Sequence, residues 1–305
     1  MRIAVMAAGA VGGYFGARLA AAGEEVHVLA RGAHLEAIRA EGLRIESPRG
    51  DLVIRPAQAT DDPAAIGPVD IVLFAVKLWD TEAAGALCKP LLGRDTAVVS
   101  LLNGVDSEER LAAILGREHV MGGVAYIAST IAAPGLIRHT GTMARLVFGE
   151  LDGTRSRRGA ALLVACERAG IDSQLTDAIA TELWRKFVLL AAFSGVTALT
   201  RQAAGAIRAE PWARRLFLDA VAEVAAVGRA RGIALDTAMV AEIGATLDRL
   251  PAEMRASMAV DLERGNRLEL DWLSGAVVRL GEAAGVPTPV HRVIAAALSF
   301  YAQGR

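Results

Sequence analysis

Apolar residues follow two different patterns along the chain. Up to about residue 175 they form short uninterrupted runs separated by glycine, proline and polar residues, which is typical of buried strands. We predict strands in that part at residues 2–6, 26–30, 43–46, 69–76, 97–102 and 120–127. Amphipathic segments lie between several of these strands. The alternation predicts an α/β fold with a mostly parallel, doubly wound sheet.

After about residue 175 the spacing of apolar residues becomes helical. We predict helices at residues 181–192, 251–263 and 268–284, and a further one that opens at Glu210-Pro211-Trp212 and closes at Gly232. The pattern therefore predicts two domains, a Rossmann-type domain over residues 1–175 and an all-helical domain over residues 176–305. We expect the active site in the cleft between them, where ligand sites are common.

The start of the chain is typical of a βαβ unit. The first apolar run is followed by Ala7-Ala8-Gly9-Ala10-Val11-Gly12, then by an amphipathic stretch and a second strand at residues 26–30. In such a unit the helix N-terminus presents N–H groups and a positive dipole end to a pyrophosphate. Gly9 would let the backbone approach the phosphates, and Gly12 would let the helix pack closely on its strand. We therefore predict a dinucleotide site at this turn.

Two residues of the unit modify this prediction. Ala7 stands where the pattern usually has its first glycine, and a methyl group in a tight turn brings strain or crowds the ligand, so we expect reduced cofactor affinity. Arg31 directly follows the second strand, at the position where NAD enzymes usually have an acidic residue for the ribose hydroxyl. An arginine there suits a 2′-phosphate and favours NADP, although a solvated arginine in a turn remains an alternative.

Composition excludes several classes of protein. The chain has 305 residues with 33 basic and 34 acidic side chains, and no basic run predicts a nucleic-acid partner. Cys88 and Cys166 form neither a disulfide framework nor a metal spacing, so we expect thiols in a reducing compartment and no metal site. No segment of about 20 strongly apolar residues predicts a membrane helix. These features predict a cytoplasmic protein.

All but three of the 33 basic residues are arginine, and the exceptions are Lys77, Lys89 and Lys186. A lysine can act as a proton donor or acceptor near neutral pH, whereas an arginine cannot release its proton. Lys77 follows an apolar run, as does Asn103, and ligands bind beyond the carboxyl ends of parallel strands. Lys77, Lys186 and Asn103 are therefore candidate site residues. Asn103-Gly104 is also an ordinary turn signal, and Lys89 has no such context.

Lys186 lies on a predicted helix, and the four-residue spacing places Leu190 and Ser194 on the same face. If that face looks into the cleft, Lys186 can donate a proton to a carbonyl oxygen while a hydride arrives at the carbon. The alternative is an exposed ion pair between Glu182 and Lys186, which lie one helical turn apart. From the residues alone, both interpretations stay open.

An ordered set of residues spanning the chain resembles the ketopantoate reductase family. It comprises Gly9-Ala10-Val11-Gly12, Arg31, Lys77, Asn103-Gly104, Glu182-Leu183-Trp184-Arg185-Lys186, Ser257-Met258 and Glu269-Leu270-Asp271. The resemblance implies reduction of 2-dehydropantoate to pantoate with NADPH, on the route to pantothenate and coenzyme A. It also implies a Rossmann domain followed by a helical domain.

The resemblance assigns roles to individual residues. Lys186 is implied to be the general acid and Glu269 to bond the hydroxyl oxygens of the substrate, unless Glu269 lies on a solvated helix face. Ser257 is implied to hold the substrate carboxylate and Asn103 to lie near nicotinamide and substrate. Arg31 and Lys77 are implied to contact the cofactor.

The chain departs from the family at two predicted substrate-binding positions. Leu190 and Ser194 stand where well-studied members have asparagines, and a less polar wall changes substrate discrimination. A reductase of another branched 2-oxo acid or imine is therefore the nearest alternative, and a non-catalytic NADP-binding regulator is a more distant one. A homodimer is possible, and the sequence does not determine the oligomeric state.

Overall fold

The computed structural model describes residues 1–55 and 57–305. The chain divides into two compact units. The first unit comprises Met1–Leu102 and Asp106–Ile179, and the second comprises Asn103–Val105 and Ala180–Arg305. The division falls four residues after the boundary predicted from the sequence. Asn103–Val105 lie in the sequence between the two segments of the first unit, but they belong by their contacts to the second unit.

The first unit is an α/β structure. Its strands are β1 (Arg2–Met6), β2 (Glu25–Leu29), β3 (Leu43–Glu46), β4 (Leu52–Ile54), β5 (Gln58–Thr60), β6 (Val69–Phe74), β7 (Leu92–Ser100), β8 (Val120–Ala133), β9 (Leu136–Glu150) and β10 (Asp172–Leu175). Its α-helices are α1 (Ala10–Ala21), α2 (Gly32–Glu41), α3 (Thr81–Leu87), α4 (Ser107–Leu115) and α5 (Arg157–Arg168).

The ten strands of the described residues belong to one sheet, in the order β4-β3-β9-β8-β7-β6-β1-β2-β5, with β10 paired to β9. The six strands from β8 to β5 in that order are parallel, as the sequence predicts. The pairs β8–β9 and β3–β4 are antiparallel. The predicted α/β class with a parallel-dominated sheet is therefore confirmed, and the antiparallel hairpins extend the sheet on one side.

Alternation of side chains along β1 and β6 builds one of the two cores. Ile3 and Val5 share a buried cluster with Ile71, Leu73 and the α1 residue Phe15. Apolar residues occupy both faces of these strands, because helices cover a parallel sheet on both sides. Because both faces of these strands are covered, their sequences are continuous apolar runs.

The strand predicted at residues 120–127 is longer in the structure. β8 and β9 are 14 and 15 residues long, and the last residues of β8 are exposed. An antiparallel partner satisfies the backbone groups of β8 beyond the point where helices cover it. Hydrogen bonding rather than burial therefore maintains the strand there, which a search for apolar runs does not detect.

The second unit contains α-helices and short 3₁₀ turns, and none of its described residues forms a strand. Its helices are α6 (Ile179–Thr200), α7 (Ala204–Ala209), α8 (Pro211–Ala230), α9 (Met239–Arg249), α10 (Ser257–Arg264), α11 (Ser274–Ala284) and α12 (Pro289–Leu298). The predicted helical class of this part is confirmed. Its core joins α6 to α8 through Phe187, Phe193, Phe217 and Val221.

Three predicted helix boundaries are wrong. α6 continues eight residues beyond Ala192, because its next residues are also buried in the core. α10 begins only at Ser257, after a turn in which the Met254 N–H donates to the Pro251 carbonyl. The predicted helix at 268–284 is interrupted at Leu273, whose backbone angles are not helical.

α6 is long and apolar enough in composition to cross a membrane. However, 67% of its most apolar 18-residue window is buried inside the protein. A helix that is apolar on all sides is found in the core of a large domain as well as in a bilayer. Burial in the core of the second unit accounts for the composition of α6.

His291 is a fully buried histidine in the second unit. Its Nε2 donates to the Ala220 carbonyl at 3.1 Å, and its Nδ1 accepts from the Ser274 hydroxyl at 3.2 Å. Both bonds use a neutral ring. Burial lowers the pKa of His291 from 6.5 to about 4, because the charged form would lose its hydration.

We expect His291 to make the protein less stable in mild acid. The unfolded chain takes up a proton at this site below pH 6.5 and the folded chain does not, so stability is fully present above pH 6.5 and falls as the pH drops. The loss is about 1.4 kcal/mol per pH unit between 6.5 and 4. Urea unfolding at pH 7 and pH 5 measures it. The variant His291→Gln should lose this part of the pH dependence while His27→Gln keeps it; equal slopes in all three proteins would contradict the account.

Candidate functional site

The glycine turn of the first unit lies at the carboxyl end of β1. Gly9 is the N-cap residue of α1, with extended backbone, and the Gly9 carbonyl accepts the Gly13 N–H at 2.8 Å. The first-turn amides of a helix have no acceptor within the helix, and the first turn of α1 carries no acidic residue. The turn therefore presents N–H donors and a positive dipole end, as a pyrophosphate site needs.

Gly12 and Gly9 have the two environments that the sequence predicts for them. A Cβ atom at Gly12 would lie 2.4 Å from the Ala7 carbonyl oxygen and 2.9 Å from Val5 Cγ1, so only glycine fits between α1 and β1. A Cβ atom at Gly9 would find its nearest neighbour, the Ala75 carbonyl oxygen, at 4.0 Å. The space beside Gly9 is open on the side where a phosphate would approach. The turn thus fits the dinucleotide implied by the sequence.

Ala7 does not take the backbone conformation that requires glycine. Among the described residues, Arg201 is the only non-glycine residue with a positive φ. The methyl group of Ala7 is therefore accommodated without left-handed strain. Reduced cofactor affinity caused by Ala7 stays a prediction.

Arg31 and Lys77 also lie at carboxyl ends of strands in the first unit. Arg31 is exposed and is the N-cap residue of α2, two residues after β2 ends. Lys77 is exposed, follows β6 by three residues, and holds its Nζ 5.5 Å from the centre of the Trp79 ring. β2, β1 and β6 are neighbours in the sheet, so Arg31, the glycine turn and Lys77 follow three adjacent parallel strands at one edge.

The second unit brings Lys186 and Asn103 together. The Lys186 ammonium donates a hydrogen bond to Asn103 Oδ1 at 2.9 Å, although the two residues are 83 positions apart. Lys186 lies on α6, and Asn103 follows β7 by three residues. Because Asn103 belongs by its contacts to the second unit, the pair is an internal feature of that unit.

The environment of Lys186 shifts its proton affinity. Burial lowers the pKa of Lys186 from 10.5 to about 8, while the nearby Glu269 carboxylate opposes the shift by stabilising the ammonium. A general acid is most effective when its pKa lies near the working pH. Lys186 is partly buried and bonds Asn103, whereas the alternative requires an exposed helical ion pair with Glu182.

Glu269 lies at a backbone turn that fixes its position. Its side chain is buried, with 7% exposure, and its carbonyl accepts the N–H groups of Trp272 and Leu273, both at 3.1 Å. The residue precedes a 3₁₀ turn at Leu270–Trp272 and is outside any α-helix. The alternative of a solvated helix face for Glu269 is therefore wrong. The buried carboxylate lies near enough to Lys186 to stabilise its ammonium.

The other three predicted substrate residues have different environments. Ser257 is exposed and opens α10, where the N–H groups of the first turn suit a carboxylate. Leu190 is partly buried one turn after Lys186. Ser194 is fully buried, and its Oγ has no hydrogen-bond partner in the described part of the chain. Since Ser194 is inaccessible here, its predicted contact with a substrate would require a movement of neighbouring side chains.

Sequence reasoning missed His34. Its ring contacts the glycine turn directly, with Nε2 2.8 Å from the Ala8 carbonyl oxygen. A histidine near the start of a helix has many ordinary explanations, and no motif or spacing singles it out. Only the fold places it beside a turn 26 residues earlier in the chain.

An α/β unit with a dinucleotide-type glycine turn and a helical unit with a partly buried lysine are the two parts of a dinucleotide-dependent oxidoreductase. The family model of ketopantoate reductase PanE/ApbA matches residues 3–153, and the model of its C-terminal domain matches residues 178–302. The chain belongs to the ketopantoate reductase family.

Individual relatives are similar over nearly the whole length. A 2-dehydropantoate 2-reductase of Mesorhizobium japonicum is 35% identical over 310 residues, which is 95% of this chain and 94% of the relative. The crystal structure of a PanE/ApbA family ketopantoate reductase from Ralstonia eutropha JMP134 has a TM-score of 0.91 and 36% identity, covering 99% of this chain and 98% of that one. The crystal structure of a 2-dehydropantoate 2-reductase from Geobacter metallireducens GS-15 has a TM-score of 0.92 and 32% identity, covering 98% of this chain and 99% of that one. The predicted family, fold class and oxidoreductase class are thereby confirmed.

Proposed function

We propose that this protein reduces 2-dehydropantoate to pantoate with NADPH, in the formation of pantothenate and coenzyme A. The observation that carries the proposal is the hydrogen bond from Lys186 to Asn103, beside the buried Glu269. It supports a proton donor held in a defined position. Family membership supports the substrate and the cofactor.

The reaction needs a hydride at the carbonyl carbon and a proton at the carbonyl oxygen. When bound, NADPH supplies the hydride. Lys186 supplies the proton, and its ammonium also stabilises the negative charge that develops on the oxygen. Asn103 Oδ1 accepts one N–H of the ammonium and so limits its rotation, which aims the remaining protons. Glu269 keeps enough of the lysine protonated despite its burial.

Two further groups complete the proposed substrate and cofactor contacts. The Ser257 hydroxyl and the first turn of α10 bind the carboxylate of the substrate. The exposed Arg31 guanidinium binds the 2′-phosphate of NADPH, for which it offers several N–H donors, and Lys77 adds a second cation at the same edge of the sheet.

A second candidate function is reduction of another branched 2-oxo acid. Leu190 supports it, because this partly buried residue gives the helix face beside Lys186 an apolar side chain. An apolar surface offers no hydrogen-bond partner to the terminal hydroxyl of 2-dehydropantoate.

We also propose that the protein is cytoplasmic, since Cys88 and Cys166 are free thiols.

The direct test of the reaction is product identification. The purified protein is incubated with NADPH and 2-dehydropantoate, and pantoate is measured by mass spectrometry against NADPH consumed. We expect one pantoate for each NADPH oxidised. Binding of NADPH without any pantoate would reject the proposal and favour a non-catalytic NADP-binding protein.

The pKa of Lys186 predicts how the rate depends on pH. The protonated lysine is the active form, so kcat should be constant below pH 8 and fall about tenfold per pH unit above it. Initial rates between pH 6 and 10 at saturating NADPH and substrate measure this limb. The variant Lys186→Arg should have low activity and no limb near pH 8, since its guanidinium stays protonated. A wild-type profile that is flat to pH 10 would contradict the assignment.

A further inference from the structure

His34, in the first turn of α2, makes two hydrogen bonds that determine its tautomer. The Gly135 N–H donates to Nδ1 at 3.0 Å, so Nδ1 carries a lone pair. Nε2 must then carry the proton of the neutral ring, and it lies 2.8 Å from the Ala8 carbonyl oxygen. The ring therefore accepts on one side and donates on the other.

Both backbone polar groups of Ala8 are hydrogen-bonded, and they belong to the two successive peptide units that flank this residue. The Ala8 N–H donates to the Leu29 carbonyl at 2.7 Å, and the Ala8 carbonyl accepts from His34. Ala8 itself is buried. This residue begins the glycine turn, and the next residue, Gly9, is the N-cap of α1. The course of the turn is thus tied to the end of β2 and to α2.

The bond from His34 also determines where the Gly9 N–H points. In a planar peptide the C=O and the following N–H point in opposite directions. With the Ala8 carbonyl turned toward His34, the Gly9 N–H is turned away from α2. Space beside Gly9 is open, as the 4.0 Å distance from its Cβ position to the Ala75 carbonyl oxygen indicates. A rotation of the peptide would withdraw this donor from the turn.

Gly135 holds the histidine from the other side. It lies in the turn between β8 and β9 with φ of +72°, a conformation that favours glycine. While its N–H donates to His34, its carbonyl accepts the Arg44 N–H at 2.9 Å. The ring is therefore anchored through this turn to β3, and it does not depend on solvent for its orientation.

We propose that His34 is a positioning residue of the NADPH site, which fixes the Ala8–Gly9 peptide so that the Gly9 N–H faces the pyrophosphate. The proposal rests on the proposed use of NADPH. His34 has no contact with the reacting atoms in this role. Its removal weakens binding of the cofactor and leaves the chemical step unchanged.

The test compares NADP⁺ binding by four proteins in calorimetry at one pH and salt concentration. For His34→Leu we expect the Kd to rise about tenfold, or ~1.4 kcal/mol. His34→Gln should recover most of the affinity, because its amide N–H can still reach the Ala8 carbonyl. The control is His27→Leu. The His27 ring bonds Glu25 Oε1 at 2.9 Å on β2, and its removal should change the Kd less than twofold.

Steady-state rates provide a second readout. His34→Leu should raise the KM for NADPH about tenfold while kcat at saturating NADPH stays within about twofold of wild type. A Kd for His34→Leu that matches that of His27→Leu would overturn the proposal. Absence of NADP⁺ binding by the wild-type protein would reject the proposed function instead, so the two failures are distinguishable.

Nuclear magnetic resonance tests the proposal without a variant, and so covers the case in which His34→Leu does not fold. In histidine-labelled wild-type protein, the ring nitrogens of His34 should show the neutral tautomer with the proton on Nε2. Their signals should shift when NADP⁺ is added. A proton on Nδ1 would overturn the proposal, as would signals that NADP⁺ leaves unchanged.

Discussion

Replacing Lys186 with alanine should lower kcat by ~10²- to 10⁴-fold, the range expected when a general acid is removed. The variant loses the proton donor and the cation that stabilises the developing alkoxide. Asn103 loses its partner but remains polar, and the lysine side chain is not part of the buried apolar core. The Kd for NADP⁺ should therefore stay within about twofold of wild type, which calorimetry measures beside the initial rates.

The matched control is Lys89→Ala, which removes an exposed lysine of the first unit. Its kcat should equal that of the wild-type protein. If Lys186→Ala turned over substrate at a similar rate to Lys89→Ala, the assigned role of Lys186 would be rejected. A large loss of NADP⁺ affinity in Lys186→Ala would also count against it, because the role is confined to the chemical step.

Replacing Gly12 with alanine should have the second large effect. Its Cβ would lie 2.4 Å from the Ala7 carbonyl oxygen and 2.9 Å from Val5 Cγ1, so α1 has to move away from β1. Overpacking of this kind costs about 1–3 kcal/mol of stability. A shift of the phosphate-binding turn by close to 1 Å should also lower kcat/KM for NADPH about 10²-fold. Urea unfolding and initial rates measure the two effects.

Gly93→Ala is the control for this substitution. A Cβ atom at Gly93 would make only ordinary contacts, 3.5 Å from Pro68 Cβ and 3.6 Å from Thr96 Oγ1. We expect small changes in stability and kcat/KM for that variant. Equal effects of the two substitutions would show that the close contact of α1 with β1 is not what Gly12 provides.

The dinucleotide turn was predictable because its determinants are local. A strand, a glycine pattern and a helix within about 20 residues specify both its conformation and the places of Gly9 and Gly12. The same holds for α8, since Glu210 caps it and Pro211 occupies its first turn. Short-range rules were sufficient at these positions.

The Lys186 site could be predicted only in part. Rarity of lysine and the family resemblance pointed to Lys186 and Asn103, but their 2.9 Å contact joins residues 83 positions apart. Glu269 is buried before the non-helical residue Leu273, and no proline or glycine stands at either position to indicate that the helix is interrupted there. Long-range packing decides these features, and a single sequence does not record it.

The predicted helix boundaries and the predicted end of β8 were wrong for a related reason. The exposed half of β8 is maintained by pairing with β9, so its residues carry no apolar period. The grouping of Asn103–Val105 with the second unit likewise reflects contacts rather than composition. In both cases the deciding interactions are made by residues distant in the chain.

The most direct test of the account is a comparison of kcat/KM for 2-dehydropantoate with values for other branched 2-oxo acids, measured as initial rates of NADPH oxidation at equal enzyme concentration. The account predicts that 2-dehydropantoate gives by far the highest value, with Leu190 and Ser194 tolerated. A better rival acid would contradict that substrate and identify a reductase with a changed pocket. No oxidation with any acid, despite NADPH binding, would contradict the enzymatic role itself.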